Sequence, residues 1–217
     1  MCVCCGARPD TRDHCPSKVL LDEPYPGNLP VVEACAKCNG SISLDEQYFA
    51  CFLECVMCGT ENPQGLKREK IARILSELPP LATDIQSTLA IDAAGGKIWQ
   101  ADMARVKKVV LKLARCHLHY ELGLHEHDEP SVFEVAPLEQ WDPKSREFFE
   151  RPEPELHALW PELGSSAFMR AVGLERPGVD GWQIVQEGRC RYLTGQRHGN
   201  YAHIAIGEYL ACRVAWD

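Results

Sequence analysis

A chain of 217 residues, 45% hydrophobic and 25% charged, carries enough apolar material for a packed core, which excludes a disordered polymer. No apolar run follows a basic start and no stretch of about 18 apolar residues occurs, so neither a secretory leader nor a membrane span is expected, and the chain reads as cytoplasmic. The net charge of −8 weighs against a surface devoted throughout to phosphates, and twelve cysteines in such a chain read as thiols and metal ligands, not as a disulfide framework.

Residues 2–32 read as a knuckle, a short strand, a turn marked by Pro24, Pro26, Gly27 and Asn28, and a second extended run over Leu29–Val32. Cys2-x-x-Cys5 and Cys35-x-x-Cys38 are separated by 29 residues. Each pair puts two thiolates on a tight turn, and together they supply the four sulfurs of a tetrahedral structural zinc site. Cys4 adjoins Cys5, and neighbouring side chains rarely reach one ion, so Cys2 with Cys5 is the better pair and Cys4 the reserve. Asp13 and His14 lie between the pairs and Asn39 follows the last cysteine. If one ion joins the pairs, these three can converge.

Ser43 reads as a helix N-cap with Glu46 three residues on. Leu44, Tyr48, Phe49, Phe52, Leu53, Val56 and Met57 then give an apolar helical stripe that Gly59 ends. Cys51, Cys55 and Cys58 share that spacing and read as small core hydrophobes. A linker over 60–65 leads to a helix carrying Ile71, Ile74, Leu75 and Leu78, stopped by Pro79-Pro80. Further helices are expected over Ala82–Ile91 and Lys97–Leu122, with Gly123 as the last stop. In the last of these Lys107, Lys108, Lys112 and Arg115 fall largely opposite the apolar side, on a solvated face that could meet phosphates. Residues 66–121 carry ten Lys and Arg against six Asp and Glu, so any DNA-facing surface should lie there.

Cys116, His117, His119, Glu121, His125 and His127 are rich in metal-ligand types, but a helix end whose imidazoles complement the macrodipole is the simpler reading. Beyond it come a strand over Ser131–Val135, an irregular proline- and acid-rich stretch over Pro137–Pro161, and three strands of an antiparallel meander over Gly181–Tyr192, Tyr201–Ile206 and Tyr209–Trp216. Cys190 and Cys212 are core residues of that meander, and its edges could pair two copies into a homodimer. The expected class is α+β. The division is 1–59 as the cysteine-bearing unit, 60–123 as a helical region and 124–217 as a β-rich region.

The segments CVCCG, RDH, NLPVV, CAKCN and SLDEQYF, within residues 2–58, resemble the zinc-stapled branch of the HNH, or ββα-metal, endonucleases. The resemblance implies His14 as general base, Asp13 and Asn39 as ligands of a catalytic divalent metal, and Asn28 as a brace of the motif loop. Related sequences often carry a Lys or Arg a few residues past the final Asn, and Gly40–Ser43 offers none.

That resemblance implies a nuclease hydrolysing DNA phosphodiester bonds, with RNA left open as a substrate. One imidazole and one Mg²⁺ or Mn²⁺ can activate a water and stabilise the developing charge. Asp and Asn are hard oxygen donors suited to such an ion. The alternative is a zinc-bound module, Cys2, Cys5, Cys35 and Cys38 holding the ion, that recognises nucleic acid or protein without cutting.

Overall fold

The computed structural model describes residues 1–151, 162–174, 178, 181–196 and 198–217. Strands β1 (Thr11–His14) and β2 (Val31–Ala34) pair antiparallel, with Asp13 opposite Val32 and His14 opposite Val31. Helix α1 (Ala36–Cys58) follows after one residue. With Ser43 as the expected N-cap the first helical residue would be Leu44, and the helix begins eight residues earlier. Asp10 Oδ1 accepts the Ala36 N–H at 2.6 Å, so the first turn is capped from the residue before β1, and the Ser43 hydroxyl bonds back to the Gly40 carbonyl at 2.9 Å inside the helix.

Helix α2 (Glu69–Glu77) ends at the expected prolines, but those prolines also open α3 (Pro79–Ser87), where the missing N–H costs nothing. Neither of the next two expected helices has its expected extent. The end of the first and the start of the second form a hairpin, β3 (Leu89–Ile91) with β4 (Lys97–Trp99), turned by Asp92–Gly96, where Asp92 Oδ1 accepts the Ala94 and Gly96 N–H groups. Helix α4 (Met103–Leu122) therefore starts six residues later than its periodicity predicts, capped by Asp102. Gly123 ends it at φ +76°.

Strand β5 (Val132–Pro137) and helix α5 (Pro143–Glu150) follow, the helix falling where irregular chain was expected. Asp142 caps it and Pro143 opens it. The rest of that stretch, 152–161, lies outside the described residues. Helix α6 (Ser166–Ala171) precedes β6 (Gln183–Gln186), β7 (Cys190–Gln196), β8 (Asn200–Ile206) and β9 (Leu210–Trp216). The expected meander has four strands, because a turn over Glu187–Arg189 splits the first. With β5 added beside β9 the sheet reads β5-β9-β8-β7-β6, antiparallel throughout. The architecture is α+β.

The chain forms two compact units, Met1–Asn39 with Val110–Asp217, and Gly40–Val109. In the first, Leu193, Ala205 and Ala211 of the sheet pack with Leu138, Phe149 and Trp182 on one face. On the other face His117 of α4 stacks on Tyr192 at 3.7 Å between ring centres. With both faces covered, β8 is buried from Ala202 to Ile206, which explains an apolar run that His203 alone interrupts. In the second unit, Arg105 Nε meets Asp45 Oδ1 at 2.9 Å, and the Asp102 N–H donates to Tyr48 Oη. Among the described residues no helix is long and apolar enough to cross a membrane.

Candidate metal centre and the Asp13-His14 strand

The first cysteine pair sits on a knuckle closed by the Gly6 N–H to the Cys2 carbonyl at 2.9 Å, with Gly6 at φ +73°. The Val3 N–H donates to Glu33 O and the Asp10 N–H to Ala34 O, which fastens the knuckle beside β2. The second pair occupies the junction of β2 with α1, where the Cys38 N–H points at Cys35 Sγ, 3.4 Å away. The sulfurs of Cys2, Cys5, Cys35 and Cys38 all lie within 4.8 Å of one another, and Cys5 to Cys35 is 3.8 Å. A tetrahedron with metal–sulfur bonds of about 2.3 Å has edges of about 3.8 Å, so the donor set fits an ion such as zinc.

Burial raises the Cys2 thiol pKa, but backbone N–H groups of Cys35, Cys4 and Cys5 outweigh it and bring the value down to about 7, which favours the thiolate a metal needs. Cys38 is raised by burial and by its thiol neighbours, and a cation among those sulfurs would reverse that. Cys4 stands apart. Burial pushes its thiol up to about 12, and it is outside the cluster. Cys51 and Cys55 are buried thiols also pushed up to about 12 by burial, as core residues should be.

Asp13 and His14 occupy the end of β1, both half-buried. Asp13 Oδ2 meets Lys112 Nζ at 2.5 Å, with side-chain exposures of 12% and 1%. Lys112 thus overturns its placement on a solvated face. The helix winds it inward among Val109, Val110, Leu113 and Cys116, all buried, and the carboxylate compensates its charge. The rest of the basic stripe is engaged as well: Arg105 and Lys108 with Asp45, and Arg115 with the carbonyls of His127 and Asp128. Asn39 lies in the first turn of α1, its N–H donating to Cys35 O at 3.0 Å. Asn28 is exposed on the loop before β2 and borders a cavity of about 280 Å³ shared with Glu121, Arg170 and Tyr192.

Sequence reasoning missed Lys112. The signal was present: the residues around it, Val109 to Leu113, are otherwise an uninterrupted apolar run. It also missed a buried polar chain. Cys15 Sγ lies 3.6 Å from His117 Nε2, His117 stacks on Tyr192, and Tyr192 donates to Glu121, which pairs with Arg170. His119, His125 and His127 instead form a second group, with ring centres 4.3 Å apart for His119 with His125 and 5.9 Å for His125 with His127. Burial lowers the pKa of both His119 and His125. Comparison with protein-family models, with curated proteins and with solved structures finds no match for this chain.

Proposed function

We propose that the chain is a metal-dependent HNH endonuclease that hydrolyses phosphodiester bonds of DNA. The carrying observation is the four-sulfur cluster: it ties the knuckle before β1 to the junction that starts α1, so Asp13, His14 and Asn39 all stand on elements joined by one cross-link. In this reading the cysteine-bound ion is zinc and its task is structural. Such sites contribute about 10–16 kcal/mol of apparent binding energy in small peptides, which two four-residue strands lack by themselves.

His14 takes the proton of the attacking water. Asp13 and the Asn39 amide oxygen are hard donors that suit Mg²⁺ or Mn²⁺, an ion that would stabilise charge on the phosphate. Lys112 holds Asp13 Oδ2, which leaves Oδ1 for that purpose and fixes its direction. Purified protein with Mg²⁺ or Mn²⁺ should nick plasmid DNA, and His14→Ala should lower the rate at least about 100-fold, the usual contribution of a general base. Equal rates for the two proteins would remove the reading.

A second reading is favoured by one observation. The buried Lys112 ammonium already neutralises Asp13, as a purely structural ion pair would. The chain is then a zinc-bound module that recognises nucleic acid or protein without cutting. DNA retention by a gel-shift assay, independent of Mg²⁺ and with no cleavage under any divalent ion, would select it.

A further inference from the structure

His119 lies in the last turn of α4, and its carbonyl accepts the Gly123 N–H at 2.9 Å. The left-handed Gly123 turns the chain so that the His125 ring comes to lie 4.3 Å from that of His119, tilted by 31°. The Nδ1 atoms of both rings are buried and have no hydrogen-bond partner among the described residues. A buried polar atom left unpaired costs about 1–3 kcal/mol, and two on adjacent rings is a concentration the fold has to repay. A third donor is at hand. The Glu162 carboxylate packs so closely on Gly123 that a Cβ there would collide with it, and its charge is felt by both imidazoles. The three side chains line one cavity of about 740 Å³, walled also by Val31, Val32 and Met169.

We propose that His119, His125 and Glu162 form a binding site for a divalent first-row transition metal, separate from the four-cysteine cluster, with its open coordination positions facing this cavity. Two imidazoles and a carboxylate are a borderline donor set, suited to Zn²⁺, Co²⁺ or Fe²⁺ and poorly suited to Mg²⁺. Three protein ligands leave room for water or an anion, unlike the closed four-sulfur site. An ion accepts both orphaned lone pairs at once. Among the described residues only the cysteine sulfurs are already gathered within 4.8 Å, so binding draws Glu162 in toward the rings. His127 is not a ligand: its Nε2 faces the Cys2 carbonyl at 3.3 Å and serves the knuckle. The site does not depend on the nuclease reading, since none of its ligands belongs to the β1 or α1 set.

Cobalt separates the two sites. Sulfur-to-metal charge transfer marks Co²⁺ on the cysteines, whereas Co²⁺ on imidazole and carboxylate shows only weaker ligand-field bands. Metal-free full-length protein titrated with Co²⁺ should take up one equivalent more than His119→Ala/His125→Ala, whether or not the Asp13 and Asn39 oxygens also hold an ion. The variant should keep the charge-transfer band, which also reports that the protein has folded. Glu162→Gln, of the same shape, should weaken that additional equivalent at least about tenfold. Equal uptake by the parent protein and the double variant, or affinity for that equivalent unchanged in Glu162→Gln, would overturn the proposal.

Discussion

Lys112 and Asp13 form an ion pair withdrawn from solvent. A lysine side chain that is 1% exposed keeps its charge beside a carboxylate 2.5 Å away. Removing one partner of such a pair strands the other, a loss of about 3–5 kcal/mol, while removing both costs much less. Lys112→Met should therefore lower the urea-unfolding free energy by about 3 kcal/mol. Lys112→Met/Asp13→Asn should recover part of it, with a coupling above about 1 kcal/mol in the double-mutant cycle. Additive losses would mean that the charges do not compensate each other. Two buried histidines give the same scale a pH signature. Burial holds His117 down to about 3, and it holds His203 down to about 4 although the Phe149 carbonyl at 3.0 Å pulls the other way. Both folded values lie below the ordinary histidine value of about 6.5, so above that pH neither state is protonated and the two groups contribute nothing to the slope. Between about 6.5 and 4 the unfolded chain takes up protons that the folded chain refuses, and stability falls by about 1.4 kcal/mol per pH unit for each histidine. His203→Phe should flatten that acid limb by about one proton in unfolding measured from pH 6 to 4.5, and an unaltered slope would contradict it.

At the scale of elements, what could be read ahead depended on whether the signal was local. The strand before Pro137, the stop at Gly123 and the apolar stripe of α1 rest on neighbours in the chain, and all are where periodicity and turn chemistry put them. The start of α1 is different. Gly40, Ser41 and Ser43 are poor helix formers, and propensity alone ends the helix at them. They are helical because Asp10, 26 residues away, caps the first turn and because the cysteine junction fixes the backbone at Cys35. The hairpin of Leu89–Ile91 with Lys97–Trp99 was missed for another reason: three-residue strands are too short to establish a period. These assignments of cause make a paired prediction. Asp10→Ala should cost about 1 kcal/mol in thermal or urea unfolding, the usual loss of an N-cap. Ser43→Ala should cost less than about 0.5 kcal/mol, since its hydroxyl bonds only to the turn behind it. The reverse order would restore Ser43 as the cap.

At the scale of the whole molecule, the cysteine spacing made the four-sulfur cluster legible, because two C-x-x-C turns have few other ways to satisfy their geometry. The partners of the knuckle segment were not legible, since they come from a helix and a sheet 98 or more residues further on. Asp13 meets Lys112, the Cys15 thiol faces the Leu113 carbonyl and His117, and the Asp22 backbone is held by the Gln186 side chain at 2.8 and 2.9 Å. Residues 1–39 thus belong to one compact unit with 110–217, which sets how far the loss of metal should spread. A two-stranded pair of four-residue strands is marginal without its cross-link, so chelation should release β1 and β2 first. Their release takes the Asp13 carboxylate away from a buried ammonium, a loss that falls on the helix carrying it. The second half of α4 should therefore loosen with them. Hydrogen exchange of the chelated protein should show fast amides over 1–39 and 110–118, while α2, built from Ile71 and Leu75 in the other unit, keeps its protection. Exchange confined to 1–39 would mean that Lys112 stays buried without Asp13. Simultaneous loss in α2 would mean that the two units unfold as one.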